Sequence, residues 1–510
     1  METKKNNFWA KVFRMKSPEE LMASADKSNL KKTLGAMDLI ILGVGAVIGT
    51  GIFTLSGVAI AGEAAAGPSF MISLILAGLA CIFSAFCYAE FASMIPVAGS
   101  AYTYTFATFG QCAAWLIGWI LMLEYAIGNI AVAIALSGYW FEFLKGFDKY
   151  LPYWITSKEL WIHEFMLFDQ IPFLFNIPSI LIIALITVLL YRGISESTKS
   201  AALMVAIKLA VIAIFLIAGF FYVRPENWTP FMPNGFGVEG FKSIFQGAFL
   251  IFFAYIGFDA VSTAAEETKN PQKNMPIGII GTLLICIAVY VAVAAVLTGM
   301  FPFETLVNNK AFVDAPIAYA LRAIGRDFCA MLVSVGAIAG LFSVLLVLQL
   351  GTTRVLFAMS RDNLLPKMFS KVHPKYATPH IITIFVGIFT IIGTFFLDLE
   401  ASANLCNIGT FTAFIVVSIG VMVLRYTDPN RKRAFKMPLM PLIPILAITS
   451  CLVIVKIGIP LDTFVAFSVW IALGLLIYFS YSYKNANLDL DEQAKISEDE
   501  STKVIEEIKK

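Results

Sequence analysis

The sequence predicts an all-α integral membrane protein with twelve transmembrane helices, and two observations lead to that fold class. The 510-residue chain is 59% hydrophobic and only 14% charged, whereas soluble globular proteins carry roughly 25% charged residues. Uncharged apolar runs also recur along it, each long enough to cross a hydrocarbon core of about 30 Å as a helix. The clearest runs are residues 39–62, 64–89, 91–123, 170–191, 274–303, 328–353, 401–424 and 463–483.

Breaks rich in charged residues, proline and glycine separate twelve membrane segments and divide the chain into three parts. We expect a cytoplasmic N-terminal segment (residues 1–36), a transmembrane domain (37–483) and a charged cytoplasmic tail (484–510). Segments 1 to 12 are residues 37–61, 69–95, 112–142, 173–191, 199–223, 242–265, 275–301, 328–358, 378–397, 401–424, 437–458 and 462–483.

The positive charges predict the orientation of these segments, because lysine and arginine are retained on the cytoplasmic side of a membrane. With both termini inside, 27 of the 37 lysines and arginines fall on the cytoplasmic side. An odd number of segments would break this pattern. The polar N-terminus lacks the short apolar run of a secretory signal, so segment 1 is expected to be a retained span.

Several classes of function are disfavoured by what the sequence lacks. A net charge of +2 without a basic block gives no reason to expect a nucleic-acid partner. The phosphate-binding Gly-x-x-x-x-Gly-Lys-Ser/Thr motif is absent, so a built-in ATPase is not expected. The three histidines form no metal-ligand cluster, and the seven cysteines lie mostly in apolar runs, which is typical of small packing residues. We therefore expect no cofactor, no metal and no enzyme activity.

Two segments carry glycines where a continuous helix should run. They are segment 1, with glycines at 43, 45, 49 and 51, and segment 6, with glycines at 247 and 257. Interrupted segments at matching positions of two halves indicate a transporter binding site, since unwound backbone is tolerated in a membrane only where it lines a cavity. The alternative is that these glycines merely allow close helix packing.

Few ionisable residues fall inside the segments, where each costs about 2.5–3.5 kcal/mol at a helix centre. Glu124 lies mid-segment 3 and is either a proton carrier facing a cavity or a hydrogen-bonded structural residue. Lys208 in segment 5 either releases a proton or extends to the cytoplasmic interface. Asp259 follows the break in segment 6 and is either functional or a helix cap. Asp38 and Arg354 are interpreted as interface residues.

Five strings in order resemble the amino acid-polyamine-organocation superfamily, and within it bacterial relatives of the cationic amino acid transporters. The resemblance runs from about Leu34 to Tyr483. The strings are residues 43–53, 96–102, 253–259 continuing to Glu266 and Glu267, 270–272 and 359–362.

This resemblance implies a leucine-transporter-like fold, in which helices 1–5 and 6–10 form inverted repeats, helices 1 and 6 are broken, and helices 11 and 12 follow. It also implies an amino acid as the substrate, with its carboxylate on Thr50 and Gly51, its amino group on the carbonyls of Val47, Phe253 and Ile256, and Phe253 as a gate. The full implied substrate site is Val47, Ile48, Gly49, Thr50, Gly51, Phe253, Ala254, Ile256 and Glu124.

Proton coupling follows from the same resemblance. Bacterial members have a helix 5 lysine where sodium-driven relatives bind a cation, and Lys208 matches it. A proton is therefore the expected coupling ion, and loss of the Lys208 proton would release helix 1. Asp259 matches an acid used in gating or coupling. Pocket size is expected to be set by segment 8, at residues 336–344.

The function expected from all this is import of amino acids across the cytoplasmic membrane by proton symport. An amino acid exchanger and a transporter-like nutrient sensor are the alternatives. The sequence leaves open whether the substrate is cationic or neutral. It also leaves open whether the protein is a monomer or weak oligomer, and whether a small membrane partner helix binds it in the bilayer.

Overall fold

The computed structural model describes residues 12–15, 34–62, 65–95, 100–147, 150–167, 171–193, 198–259, 261, 268–307, 309–376, 378–431, 433 and 435–485. Most of the predicted N-terminal segment and of the charged tail lies outside the described residues. The same is true of residues 96–99 in the second family string and of Glu266 and Glu267.

Long apolar helices make up nearly all of the described chain. In chain order they are α1 (Ala36–Val47), α2 (Ser56–Ala61), α3 (Phe70–Met94), α4 (Ser100–Phe109), α5 (Gln111–Lys145), α6 (Ile177–Arg192), α7 (Thr198–Phe220), α8 (Val238–Ile251), α9 (Pro271–Met300), α10 (Asp327–Arg361), α11 (His380–Gly393), α12 (Leu399–Thr427), α13 (Leu442–Gly458) and α14 (Leu461–Ile477).

Shorter elements connect or interrupt these helices. The α-helical ones are Tyr153–Thr156, Lys158–Trp161, Phe303–Leu306, Lys310–Asp314, Pro316–Ala323 and Tyr483–Asn485. The 3₁₀ turns are Gly67–Ser69, Pro225–Trp228, Phe252–Tyr255 and Lys367–Ser370, and the π-helical turns are Gly51–Leu55 and Tyr478–Ser482.

The membrane-spanning character of the chain is visible in helix length and composition. Within the described residues, seven helical stretches are long and apolar enough to cross a membrane: α3, α5, α7, α9, α10, α12, and α14 together with the helical turns that continue it to Asn485. The bent pair of α1 with Gly51–Ala61 counts as one further broken span. Three shorter apolar helices, α6, α11 and α13, coincide with segments 4, 9 and 11, and α8 coincides with segment 6.

The prediction of an all-α fold was wrong at one place. Strands β1 (Ile162–Leu167) and β2 (Ile171–Asn176) form an antiparallel hairpin, so segment 4 begins as a strand and its helix starts only at Ile177. Asn176 caps that helix, its side chain accepting from the Ser179 amide at 3.1 Å. The hairpin is anchored to the end of α11, because the Leu174 amide donates to the Phe395 carbonyl at 2.8 Å.

The helices pack into two groups. Helices α1, α3, α8 and α9 form one, in which α9 packs on both α1 and α3, and α8 packs on α3. Helices α5, α6, α10 and α11 form the other, with α5 against α10 as its most extensive contact. Helix α7 bridges the groups through α1 and α10, and α12 contacts α3 and α5.

One buried ion pair fixes the loop between α12 and α13. Glu90, which is fully buried on α3, accepts hydrogen bonds from Arg425 Nε at 2.6 Å and Nη2 at 2.7 Å, and from the Met437 amide at 2.9 Å. Arg433 Nε lies 3.4 Å from the same carboxylate. A buried carboxylate is tolerated only when it is paired in this way, so the loop is held against α3.

Asp38 and Arg354 are exposed, as expected of interface residues. The Asp38 carboxylate accepts from the Gly35 amide at 2.9 Å, and so caps the start of α1.

Candidate functional site

The first helix break lies between α1 and the π-helical turn that follows it. Helix α1 ends at Val47, Ile48 is extended with φ −72° and ψ 105°, and the two halves are bent by 44°. The last regular bond of α1 joins the Ile48 amide to the Val44 carbonyl at 2.9 Å. The carbonyls of Gly45, Ala46 and Val47 therefore lose their helical donors at this break.

The second break follows α8. A 3₁₀ turn, Phe252–Tyr255, ends where Ile256 becomes extended (φ −61°, ψ 139°) and Gly257 takes a φ of +109°. Such a positive φ favours glycine, because other residues clash with their own backbone there. Residues 260 and 262–267 lie outside the described residues, so the far half of segment 6 is not described.

The two breaks touch through their main chains. A Cβ placed on Gly51 would overlap the Cβ, Cα and amide nitrogen of Ala254, and one placed on Gly257 would lie 3.1 Å from the Ala46 carbonyl oxygen. These glycines are therefore required by backbone-to-backbone contact between the breaks. The alternative of ordinary helix packing does not account for the positive φ of Gly257 or for the end of α1 at Val47.

Lys208 lies at the first break and is 1% exposed. Its Nζ donates to the freed Gly45 carbonyl at 2.7 Å. A Cβ on Gly340 would lie 2.9 Å from Lys208 Cε, so the glycine on α10 leaves room for the stem of the lysine. The alternative of a lysine reaching the cytoplasmic interface is thus wrong, because the ammonium is held inside the protein.

Glu124 and Asp259 lie in one buried region. Glu124 is 1% exposed, and neither of its carboxylate oxygens has a hydrogen-bond partner among the described residues. Asp259 is 4% exposed, and its Oδ2 accepts from the Tyr125 hydroxyl at 3.3 Å. Since Tyr125 follows Glu124 in α5, this bond ties the chain just after the second break to the Glu124 turn.

The walls around this region are formed by α5, α10 and α12. A Cβ on Gly128, one turn beyond Glu124, would lie 3.5 Å from Cys406 Sγ and from a Leu348 methyl, and 3.9 Å from the Phe253 ring. The carbonyl of Glu124 accepts from Cys406 Sγ at 3.2 Å. Phe253 therefore packs beside the helix turn that follows Glu124.

Helix α10 faces the first break. The part that does so falls within residues 336–344 of segment 8, which the sequence predicts to set the size of the pocket. A Cβ on Gly49 would lie 3.1 Å from a Val344 methyl. Val344 of α10 thus lies beside the unwound chain at Gly49, one turn beyond Gly340, the glycine that leaves room for Lys208.

Thr50 is the polar side chain of the first break. It is 1% exposed, and its hydroxyl has no hydrogen-bond partner among the described residues. Buried hydroxyls are normally satisfied, which makes this group a candidate for contact with a ligand.

Two residues that hold the breaks were missed by sequence reasoning. Asn407 on α12 donates through Nδ2 to the carbonyls of Phe249 at 2.7 Å and Leu250 at 3.0 Å, just before the second break. The Tyr290 hydroxyl on α9 contacts the carbonyls of Val47 and Ala254. Both are polar side chains in apolar helices, but many such residues occur in these segments, so this signal does not single them out.

Comparison with known proteins decides the family. The family model described as "Amino acid permease" matches residues 34–480. The chain belongs to the amino acid permease family. Membership makes this permease a membrane transport protein, with an amino acid as its class of substrate and no enzyme activity.

Three curated relatives are similar over most of their length. The branched-chain amino acid permease BcaP of Bacillus subtilis is 46% identical, over 94% of this chain and 99% of the relative. The methylthioribose transporter of the same organism is 45% identical, over 94% and 99%. The chloroplastic cationic amino acid transporter 9 of Arabidopsis thaliana is 38% identical, over 84% of this chain and 74% of the relative.

Proposed function

We propose that this permease imports amino acids across the cytoplasmic membrane by proton symport, with both termini cytoplasmic and no bound cofactor. The observation that carries the proposal is the hydrogen bond of buried Lys208 to the Gly45 carbonyl at the first helix break, 2.7 Å long. If this ammonium group released a proton, its hydrogen bond to α1 would weaken, which supports the proposal.

The proposed architecture is twelve spans, with segments 1–5 and 6–10 as inverted repeats. Its support is the pairing of the two packing groups. The group containing α1 and α3 also contains α8 and α9, which are the segments five positions later in the chain. The group containing α5 and α6 likewise contains α10 and α11. Alternating access would then be a movement of one group against the other.

The substrate would bind between the two breaks. Its carboxylate would accept hydrogen bonds from the unsatisfied Thr50 hydroxyl and from the Gly51 amide, at the positive end of the second half of helix 1. Its amino group would donate to the carbonyls of Val47, Phe253 and Ile256. The last two lie in the second break, where the Ile256 amide itself bonds to the Phe253 carbonyl at 3.3 Å.

Proton movement would act through the strength of the hydrogen bond from Lys208 to the Gly45 carbonyl. A charged ammonium makes a stronger bond to a carbonyl than a neutral amine does. Protonated Lys208 would hold the end of α1 in place, and loss of its proton to water would weaken that hold and free α1 to move. Asp259, linked to Tyr125, would take part in gating or coupling.

The substrate side chain would face Glu124, Gly128 and Val344. We propose neutral, branched aliphatic amino acids, for two reasons. The walls at Gly128 and Gly49 are formed by Leu348, Phe253 and Val344, and the relative from Bacillus subtilis at 46% identity is named a branched-chain amino acid permease. Glu124 would then be neutral during binding.

The proton step is tested in proteoliposomes with an imposed pH gradient, using the variant Lys208→Met. This change keeps an unbranched apolar side chain but removes the ammonium, so accumulation of labelled leucine driven by the gradient should be lost. Lys456→Met, which removes an exposed lysine near the end of α13, is the matched control and should accumulate leucine as wild type does. Gradient-driven accumulation at the wild-type level in Lys208→Met would refute the coupling role.

Two further measurements distinguish a symporter from an exchanger and one substrate class from another. Uptake that requires leucine inside the vesicles would indicate an exchanger instead of a symporter. Competition of labelled leucine uptake by isoleucine and valine, but not by arginine, lysine or methylthioribose, is expected for the proposed substrate class. Competition by arginine alone would indicate that Glu124 pairs with a cationic side chain.

A further inference from the structure

An open groove lies along the beginning of α9, on the side of that helix that faces the surrounding membrane. Its volume is about 660 Å³. Ile277 is 44% exposed there, so lipid chains of the bilayer can reach it. The apolar walls of the groove are formed by α9 and by the loop between α12 and α13, through Pro276, Ile277, Ile280, Gly281 and Phe435.

The end of the groove at the start of α9 is polar and positively charged. Gln272 and Lys273 line it, and Lys436 follows directly after Phe435 on the other wall. Both lysines are exposed, and neither is in an ion pair among the described residues. The first turn of α9 carries no acidic residue, so the positive end of the helix dipole adds to the charge of the lysines.

The wall formed by the loop is held in place by the rest of the protein. The Phe435 ring stacks on that of Phe86 in α3, with centroids 6.4 Å apart. Two residues on, the Met437 amide donates to the Glu90 carboxylate at 2.9 Å. That carboxylate is buried and paired with Arg425, so it does not neutralise the two lysines. The groove is therefore preformed and positively charged at one end.

The size of the groove decides between a lipid chain and a partner helix. From Gln272 to Gly281 the groove follows α9 for about 13.5 Å, at a rise of about 1.5 Å per residue. Its volume over that length gives a cross-section of about 49 Å². A helix about 10 Å across needs about 80 Å². A helix is thus too wide to enter the groove, whereas a flexible acyl chain is not.

We propose that this groove is a binding site for an anionic phospholipid of the surrounding membrane. The headgroup phosphate lies against Lys273 and Lys436, and an acyl chain lies along Ile277. The chain gains little by leaving the bilayer, because the bilayer interior is equally apolar. The selectivity therefore comes from the headgroup charge, at about fivefold in affinity for each lysine. The site adjoins the contact of α9 with α1, where a Cβ on Gly281 would lie 2.9 Å from Ile40 Cδ1, so a bound lipid stabilises that contact.

The test is a titration of the detergent-purified permease with phosphatidylglycerol, which is anionic, and with phosphatidylcholine of the same acyl chains, which has no net charge. A bound lipid raises the thermal melting temperature, and the half-saturating concentration is read from that rise. We expect this concentration to be at least tenfold lower for phosphatidylglycerol. In the double variant Lys273→Gln/Lys436→Gln the ratio should fall below threefold. The control Lys371→Gln changes an exposed lysine that does not line the groove, and it should keep the wild-type ratio.

A second variant tests the apolar part of the groove. Ile277→Trp fills it and should raise the half-saturating concentration of both lipids at least fivefold. Ile457→Trp, at a residue of α13 that is 40% exposed, is the matched control and should change neither value.

Four results would overturn the proposal. They are a wild-type ratio below tenfold, a ratio of threefold or more in the double lysine variant, unchanged lipid binding in Ile277→Trp, and an equal rise in melting temperature with glycerol phosphate, which has the charge but no acyl chain. A wild-type protein without lipid preference would indicate another occupant, such as the terminal residues outside the described part of the chain. None of these measurements depends on transport, so the proposed function is tested separately.

Discussion

Replacing Gly51 by alanine gives the sharpest test of the contact between the two breaks. The new Cβ would lie 2.9 Å from the Ala254 amide nitrogen and closer still to its Cα and Cβ, whereas ordinary contacts begin at 3.4 Å. The atoms in conflict are mostly main chain, so no side-chain rotation relieves them. The breaks must separate by about 1 Å, and a misplacement of that size costs on the order of 100-fold in rate where geometry matters.

Overpacking also costs about 1–3 kcal/mol in stability, so transport and folding are measured separately. The assay is initial leucine uptake in proteoliposomes, normalised to monodisperse protein, together with the thermal melting temperature. We expect Gly51→Ala to reduce Vmax/KM about 100-fold. Gly351→Ala is the control, because its Cβ would lie 3.5 Å from the Tyr125 ring, an ordinary contact.

A series of glycine variants grades the severity of the contact. Gly49→Ala meets only a Val344 methyl, at 3.1 Å, so its loss should be smaller and should be partly restored by adding Val344→Ala. Gly51→Ala should not be restored by Ala254→Gly, because the overlap with Ala254 Cα and nitrogen persists. Wild-type kinetics in Gly51→Ala, or full rescue by Ala254→Gly, would refute the proposed backbone contact.

Two other predictions concern packing and pocket size. Glu90→Ala leaves Arg425 and Arg433 without their carboxylate, which should cost about 3–5 kcal/mol of stability, seen as a lower melting temperature. The control Glu239→Ala breaks an exposed pair with Lys242, 3.9 Å apart, and should cost no more than about 1 kcal/mol; equal losses in the two variants would contradict the role of burial. Val344→Leu adds a methylene at the first break and should lower the preference for leucine over alanine uptake by about tenfold. An unchanged ratio of the two Vmax/KM values would show that Val344 lies outside the pocket.

Much of the site was accessible from the sequence, because a membrane interior penalises charge and unwound backbone so strongly. Lys208 and Glu124 stand out in apolar segments, and the structure places both in the protein interior. The glycines of segments 1 and 6 predicted breaks, and the segments are interrupted at Gly49 and Gly257. The glycines at 43, 45 and 247 lie within regular helix instead. Their roles in binding and coupling stay predictions.

Other features could not be read from the sequence, because they depend on which helices meet. The strand at the start of segment 4 is apolar enough to resemble a helix, and only its pairing with β1 and its contact with Phe395 make it extended. Asn407 and Tyr290 are ordinary polar residues until packing sets them beside carbonyls that the breaks have freed.

The sequence by itself determined a many-spanning membrane protein with two interrupted helices, since apolar runs, positive-charge bias and glycine spacing are local properties of the chain. Only the tertiary structure decided that the two breaks touch at Gly51 and Ala254, that Lys208 bonds to Gly45, and that one tyrosine hydroxyl serves both breaks. The physical reason is that a freed carbonyl must find a donor, and the donors come from helices far away in the chain.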